Sequence, residues 1–353
     1  MGSSHASSGW FARLPTADVT SKEERGAVKI YREVDGDLGV IRKRRVAILG
    51  YGNQGHAHAL NLRDSGVEVV IGAREGGTGA RKAAEAGFPV LRFDEAAGSA
   101  DVVMMTLPDE HIPAIYEREV AGSIRPGAAL GFAHGLAVHF GLIVPREDLD
   151  VFLIGPKGAG RWLRAEYEAG RGLAALIAVH RDASGEAFAI ALAYALALGC
   201  GRAGILETTF AEECETDLFG EQAVLCGGIP ALIEAGFRTL VEAGYSPEMA
   251  YFECVHEAKL IVDLIAEGGF AYMRDRISTT AEYGGELAAD RLVTDRTRAE
   301  MRAILDDIRS GTFARRLIAD TGAGSPELER LRRRHPRDID EVGERVRRIV
   351  GGK

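Results

Sequence analysis

The chain has 353 residues, 46% apolar and 27% charged, with a formal net charge of −9 from 43 basic and 52 acidic side chains. At ~150 residues per domain this suggests two domains, enough chain to bury a core without disulfides or structural metals. A net-acidic chain without a basic stripe argues against nucleic-acid binding, and no apolar run approaches the ~18 residues of a membrane span, so a soluble, cytoplasmic protein is expected.

In chain order, residues 1–26 open with the polar stretch MGSSHASSGW, which lacks the apolar core of a signal peptide and reads in part as an appended tag. This extension is expected to be disordered, and His5 is set aside from site arguments. From Val46 onward, short apolar runs alternate with helix-like stretches: VAILG (46–50), VEVVIG (67–72), DVVMMTLP (101–108), AALGFAHG (128–135), DVFLIGPKG (150–158) and LAALIAVH (173–180). Continuously apolar or β-branched runs are what strands buried on both faces require. Residues 27–204 therefore predict an α/β, Rossmann-like, doubly wound and mostly parallel sheet.

Beyond about Arg202 the strands are expected to stop. Residues 205–325 read as an all-helical domain, punctuated by Gly227-Gly228, Gly244 with Pro247, and Gly268-Gly269. Residues 326–353 read as a basic helical tail, loose from about Gly322; its arginines alternate with acids, as on a solvated face. Cys200, Cys214, Cys226 and Cys254 have neither C-x-x-C nor zinc spacing and read as buried small hydrophobes in a reducing compartment.

Three features carry chemistry. GYGNQG places Gly50, Gly52 and Gly55 directly after a predicted strand and at the start of a predicted helix, the context of a dinucleotide-binding turn. There a helix N-terminus receives phosphate. At the end of the next strand, GAREGG offers Arg74, suited to a 2′-phosphate or to stacking on adenine; Glu75 beside it weakens that inference, and an exposed loop charge is the alternative. Second, residues 205–310 hold 21 acids against 9 bases, and no base falls between Arg202 and Arg238. Asp217 and Glu221, and Glu253 and Glu257, stand four apart among apolar neighbours, one helix face per pair. Two such pairs facing each other would form an all-oxygen site for Mg²⁺; a solvated acidic face is the competing reading. Third, His134 and Lys157 follow predicted strands, where doubly wound folds place ligands. His56, His58, His139 and His256 read as structural.

With these positions in hand, the chain resembles the short-form (class I) ketol-acid reductoisomerases. The resemblance runs from about Val28 to Val350 and rests on GYGNQGHAHALNLRDSG, ETTFAEECETDLFGEQAVLCGG, GYSPEMAYFECVHEAKLIVDLI and ISTTAEYG. It implies conversion of 2-acetolactate or 2-aceto-2-hydroxybutyrate, in branched-chain amino-acid biosynthesis, by Mg²⁺-dependent alkyl migration and then NADPH reduction. It implies two Mg²⁺ ions on Asp217, Glu221, Glu253 and Glu257, with Ser278 meeting the substrate carboxylate and His134 and Lys157 lining the pocket. Cofactor contacts are implied at Gly50, Tyr51, Gly52, Asn53, Gln54, Gly55, Arg74, Thr78, Pro108, Asp109, His134 and Gly160. A homodimer, or a multiple of it, with a shared active site is also implied.

The chain departs from the family pattern at several points. The phosphate-binding loop usually reads REGSKSW; here it is REGGTGA, so Gly77 and Gly79 lack the two hydroxyls, leaving Arg74 and Thr78. NADPH stays the first expectation, with weaker discrimination against NADH. Leu136, Ala137, Arg161 and Thr279 also depart from the pattern and would suit a paralogue acting on a related acyloin acid. The competing readings are a metal-free NADP-linked hydroxyacid or imine reductase and a non-catalytic dinucleotide-binding scaffold.

Overall fold

The computed structural model describes residues 28–334 and 338–351; the extension 1–26 lies outside them. The chain divides into two compact units, 1–214 and 215–353.

The first unit is built on a nine-stranded sheet among the described residues: β1 (Ile30–Tyr31), β2 (Arg45–Leu49), β3 (Glu68–Gly72), β4 (Val90–Leu91), β5 (Val102–Met105), β6 (Ala129–Phe132), β7 (Asp150–Pro156), β8 (Ala175–Arg181) and β9 (Ile205–Glu207). Their order is β1-β9-β8-β7-β6-β5-β2-β3-β4. Pairing is parallel except between β7 and β8 and between β1 and β9. All six expected strands form. The expectation that strands stop near Arg202 is corrected by β9, which pairs with β8. Three residues between a glycine turn and a helix carry too little periodicity to announce a strand.

The apolar runs are continuous because both sheet faces are covered. Val46 and Ile48 of β2, Val102 and Met104 of β5, and Phe152 and Ile154 of β7 pack on one side with helices Asn53–Asp64 and Ala187–Ala197. Ala47, Leu49, Val103, Met105, Val151 and Leu153 point the other way, into a second core that also holds Phe93, Ala96 and Ala97 of helix Phe93–Ser99. Alternate residues of one strand thus feed two cores. The order reverses where β2 is flanked by β3 and β5, so a ligand crevice opens at the C-terminal ends of β2 and β5.

The second unit is helical among its described residues. Its main helices are Gly228–Glu242, Pro247–Tyr251, Ala258–Arg274, Thr279–Leu292, Asp295–Arg309, Thr312–Gly322, Pro326–Arg332 and Asp338–Ile349. Two of the three glycine signals act as expected: Gly244 has φ 92°, and Gly269, at φ 82°, kinks its helix. The tail, expected to be loose, is docked instead. Val342 and Val346 of Asp338–Ile349 are buried with Phe237 and Ala250. Arg345 pairs with Glu248, and Arg238 with Asp338. Interleaved charges concealed that apolar stripe.

Helix Phe210–Phe219 runs without a break through a π-helical turn into Gly228–Glu242. The whole stretch Phe210–Glu242 is long and apolar enough to cross a membrane by length and composition alone, with only 6% of its most apolar window buried. The expectation that no segment reaches that length was drawn from uninterrupted apolar runs, and Gly227-Gly228 does not end the helix. Of the four unpaired cysteines, Cys200 and Cys214 are buried as expected, but Cys226 is exposed and Cys254 half-buried. Cys226 stands in this apolar but uncovered stretch.

Candidate active site

In the first unit, the glycine turn between β2 and helix Asn53–Asp64 has the expected form. Gly50 adopts φ 100°, open to glycine at little cost. A Cβ on Gly55 would stand 2.1 Å from the Gly50 carbonyl oxygen, whereas one on Gly52 would meet no protein atom within 4 Å. The third glycine therefore serves helix–strand packing, and the second leaves space for something outside the protein. Thr106, just past β5, donates to the carbonyls of Leu49 (3.1 Å) and Gly50 (2.9 Å) and sets the turn.

The loop after β7 seats against the same helix N-terminus. Gly160 N–H donates to Asn53 Oδ1 and Gln54 Nε2 donates to the Gly158 carbonyl, both at 3.0 Å. These bonds join Asn53, Gln54 and Gly160, all expected cofactor contacts. At the end of β3 a hollow of about 220 Å³ is lined by Ala73, Arg74, Glu75, Arg92, Phe93 and Ile115, among others. It lies one strand from the glycine turn, where the adenosine end of a dinucleotide would reach. Thr78 opens helix Thr78–Glu85, and its hydroxyl accepts from Arg81 Nη2 at 3.2 Å. Arg81 also donates to the Gly76 carbonyl.

A polar cluster sits at the ends of β5, β6 and β7. His134 Nδ1 lies 3.0 Å from Asp109 Oδ2. Burial disfavours the His134 imidazolium, but hydrogen bonds to Asp109 and Cys214 and the charges of Asp109 and Glu213 outweigh it. They lift His134 well above its ordinary value. Glu213 is only 2% exposed. Its Oε2 accepts from Gly135 N–H at 2.9 Å, and Lys157 Nζ lies 3.7 Å from its Oε1. Glycines create its slot: a Cβ on Gly135 would stand 3.1 Å from one Glu213 oxygen, and one on Gly155 3.0 Å from the other. Sequence reasoning missed Glu213 and Thr106. Glu213 was one acid among many, and its signal was a pair of glycines on strand ends distant in sequence.

In the second unit both carboxylate pairs stand at π-helical turns. Glu221 lies in Gly220–Leu225, which begins three residues after Asp217. Glu253 lies in Phe252–His256, with Glu257 immediately after it. Wide turns of this kind are rare and frequent at functional sites. Glu221, Glu253 and Glu257 are exposed in the single chain. Of the apolar neighbours of the first pair, Leu218 is buried, while Val224 is 41% and Leu225 59% exposed. Ser278 caps helix Thr279–Leu292, its Oγ accepting from Ala281 N–H at 3.1 Å.

Comparison with known proteins places both units. Residues 40–204 match the family model described as acetohydroxy acid isomeroreductase, NADPH-binding domain. Residues 210–351 match the one described as ketol-acid reductoisomerase, C-terminal domain. An NADH-preferring ketol-acid reductoisomerase from an uncultured archean is 44% identical, over 91% of this chain and 98% of that one, with a TM-score of 0.87. A semialdehyde dehydrogenase NAD-binding protein from Cupriavidus necator (21% identity, TM-score 0.58, 76% of this chain and 99% of that one) shares the fold. So does a pyrroline-5-carboxylate reductase from Coxiella burnetii (14% identity, TM-score 0.51, 75% and 97%).

Proposed function

The chain belongs to the ketol-acid reductoisomerase family, and from that premise we propose that it converts 2-acetolactate or 2-aceto-2-hydroxybutyrate to the 2,3-dihydroxy-3-methyl acid, using a nicotinamide cofactor and two Mg²⁺ ions. The observation carrying this reading is the pairing of acids at two π-helical turns, Asp217 with Glu221 and Glu253 with Glu257. Four carboxylates without sulfur or imidazole suit a hard divalent cation. When bound, the cations supply the charge that polarises hydroxyl and carbonyl for migration, and the nicotinamide supplies hydride.

The protein's own groups divide the remaining work. The glycine turn and the N-terminus of Asn53–Asp64 bind the pyrophosphate. His134, oriented by its hydrogen bond to Asp109, donates to a substrate oxygen. Lys157 holds a carboxylate or alkoxide, and Glu213, sunk between Gly135 and Gly155, takes up and returns a proton. Ser278 accepts from its own helix, which leaves its hydroxyl proton to donate to the substrate carboxylate.

NADPH was the first expectation; the loop geometry favours NADH. Gly77 and Gly79 offer no hydroxyl, so Thr78, whose oxygen accepts from Arg81, is the one hydroxyl left in the loop to donate to a 2′-phosphate, and Glu75 lines the hollow beside Arg74 and Arg92. The 44% identical relative is NADH-preferring as well.

A second copy of the chain completes the site in this reading. Leu232, Leu260, Val262 and Phe270 are 50–64% exposed on the helical unit, more apolar surface than a monomer ordinarily leaves. A partner would cover them and set its Glu253, Glu257 and Ser278 opposite Asp217 and Glu221. The unpaired cysteines suit a reducing compartment such as the cytoplasm.

The test is product identification with each acetohydroxy acid, Mg²⁺, and NADH or NADPH. The diol acid is expected with both nucleotides, with higher kcat/KM for NADH and no product in EDTA. Absence of the diol with every combination would overturn the reading, and turnover persisting in EDTA would remove the metal from it.

A further inference from the structure

The opposite ends of the central strands hold a second concavity. A cleft of about 550 Å³ opens at the N-terminal ends of β2, β5, β6 and β7. The glycine turn and the polar cluster stand at the other ends of these strands, roughly 15 Å away at ~3.3 Å per residue. The cleft has an apolar floor, which includes Val40 and Ile190, and a charged rim of Lys43, Arg44, Arg125 and Glu186, with Asp101 and Asp150 at its edge.

The balance of donors and acceptors decides what suits it. Every carboxylate there is already engaged. Asp150, 1% exposed, accepts from Ala183 N–H (2.8 Å), Ser184 N–H (2.9 Å) and Ser184 Oγ (2.6 Å). Asp101 accepts from Arg125 Nη1 (2.8 Å) and Arg45 N–H (3.0 Å). Glu186 accepts from Arg44 Nη2 at 2.6 Å. Donors are left over. The Lys43 ammonium has no ion-pair or hydrogen-bond partner among the described residues, and Arg44 and Arg125 each spend only part of their five N–H groups. Arg44 is also braced by the Val40 carbonyl, so its guanidinium is held in place before anything binds. A rim with spare cationic donors over an aliphatic floor selects a small amphiphilic anion.

We propose that this cleft is a binding site for a small organic oxyanion, a carboxylate or phosphate on a short aliphatic body, remote from the nucleotide turn. Lys43, Arg44 and Arg125 receive the anionic head, and Val40 and Ile190 receive the aliphatic body. The proposal does not depend on the reaction assigned above, because none of these residues belongs to that site.

The experiment is calorimetric titration of the full chain, at low and matched ionic strength, with butanoate, butyl phosphate, inorganic phosphate and butylammonium. Saturable binding of butanoate or butyl phosphate is expected, tighter than inorganic phosphate, with no binding of butylammonium. The stronger of the two anions identifies the head group. Lys43→Ala with Arg125→Ala should raise Kd at least tenfold. Lys43→Glu, a single change at an exposed side chain, should do the same without disturbing the fold, while Lys43→Arg should retain binding. Absence of saturable anion binding, equal binding of butylammonium, or unchanged affinity in both the double variant and Lys43→Glu would overturn the proposal.

Discussion

Adding one methyl group at each of two glycines separates what the nucleotide turn does for the protein from what it does for a ligand. In Gly160→Ala the new Cβ would stand 1.7 Å from the Asn53 carbonyl oxygen and 2.6 Å from its carbon. Both atoms are backbone, so the loop after β7 must retreat by more than 1 Å. That retreat breaks the Gly160–Asn53 and Gln54–Gly158 hydrogen bonds. At ~0.5–1.5 kcal/mol each, with the cost of displaced packing added, the loss is on the order of 2–4 kcal/mol. In Gly52→Ala the Cβ meets no protein atom within 4 Å, so the thermal midpoint should stay within ~1 °C of the parent. Yet the methyl occupies the approach to the N-terminus of Asn53–Asp64, and NADH affinity should fall at least tenfold, about 1.4 kcal/mol. Differential scanning fluorimetry and NADH titration read the two effects separately. The reasoning is refuted if Gly52→Ala binds NADH like the parent, or if Gly160→Ala melts with it.

Three further outcomes are expected. Glu213→Gln should lower kcat about 100-fold or more while NADH affinity stays within twofold, since the amide still fits the Gly135–Gly155 slot but cannot take up a proton; an active variant would remove Glu213 from the chemistry. His58 is fully buried against the Tyr194 hydroxyl at 3.0 Å, and burial, with a smaller contribution from His56, lowers it to about 3. The unfolded chain binds a proton there below about pH 6.5 that the folded chain refuses, so stability falls with pH between about 6.5 and 3 by up to ~1.4 kcal/mol per unit. Urea midpoints of His58→Gln should depend less on pH across that window, and an unchanged slope would contradict this. Val346→Asp places a charge at a fully buried position among Phe237, Ala250 and Val342. It should release helix Asp338–Ile349, at about 3 kcal/mol or more, and raise its hydrogen exchange without weakening NADH binding; unchanged exchange would show that the helix is held elsewhere.

How much of this was legible in the sequence differs from element to element. Strands β2, β3, β5, β6, β7 and β8 were readable because a strand covered on both faces must be apolar at nearly every position. The two-residue strands and β9 were not, because hydrogen bonding to a neighbour defines them and their own residues carry no period. Gly50, Gly52 and Gly55 were readable as a motif, yet only the distances at each position separate the packing glycine from the one that leaves room. The acid pairs were visible as spacing. That each stands at a π-helical turn was not, since an inserted residue of helix leaves no mark in composition.

The excess of acid over base in residues 205–310 drew attention to Asp217, Glu221, Glu253 and Glu257, which the sequence alone can single out because charge and spacing are local properties. Glu213 belongs to the same excess, and only tertiary structure distinguishes it. Its carboxylate is sunk where Gly135, just past β6, and Gly155, on β7, leave a gap for it, and no property of Glu213 or its neighbours along the chain reports that gap. The same holds for the cleft beneath β2, β5, β6 and β7, whose cations are ordinary surface residues until the sheet sets them side by side.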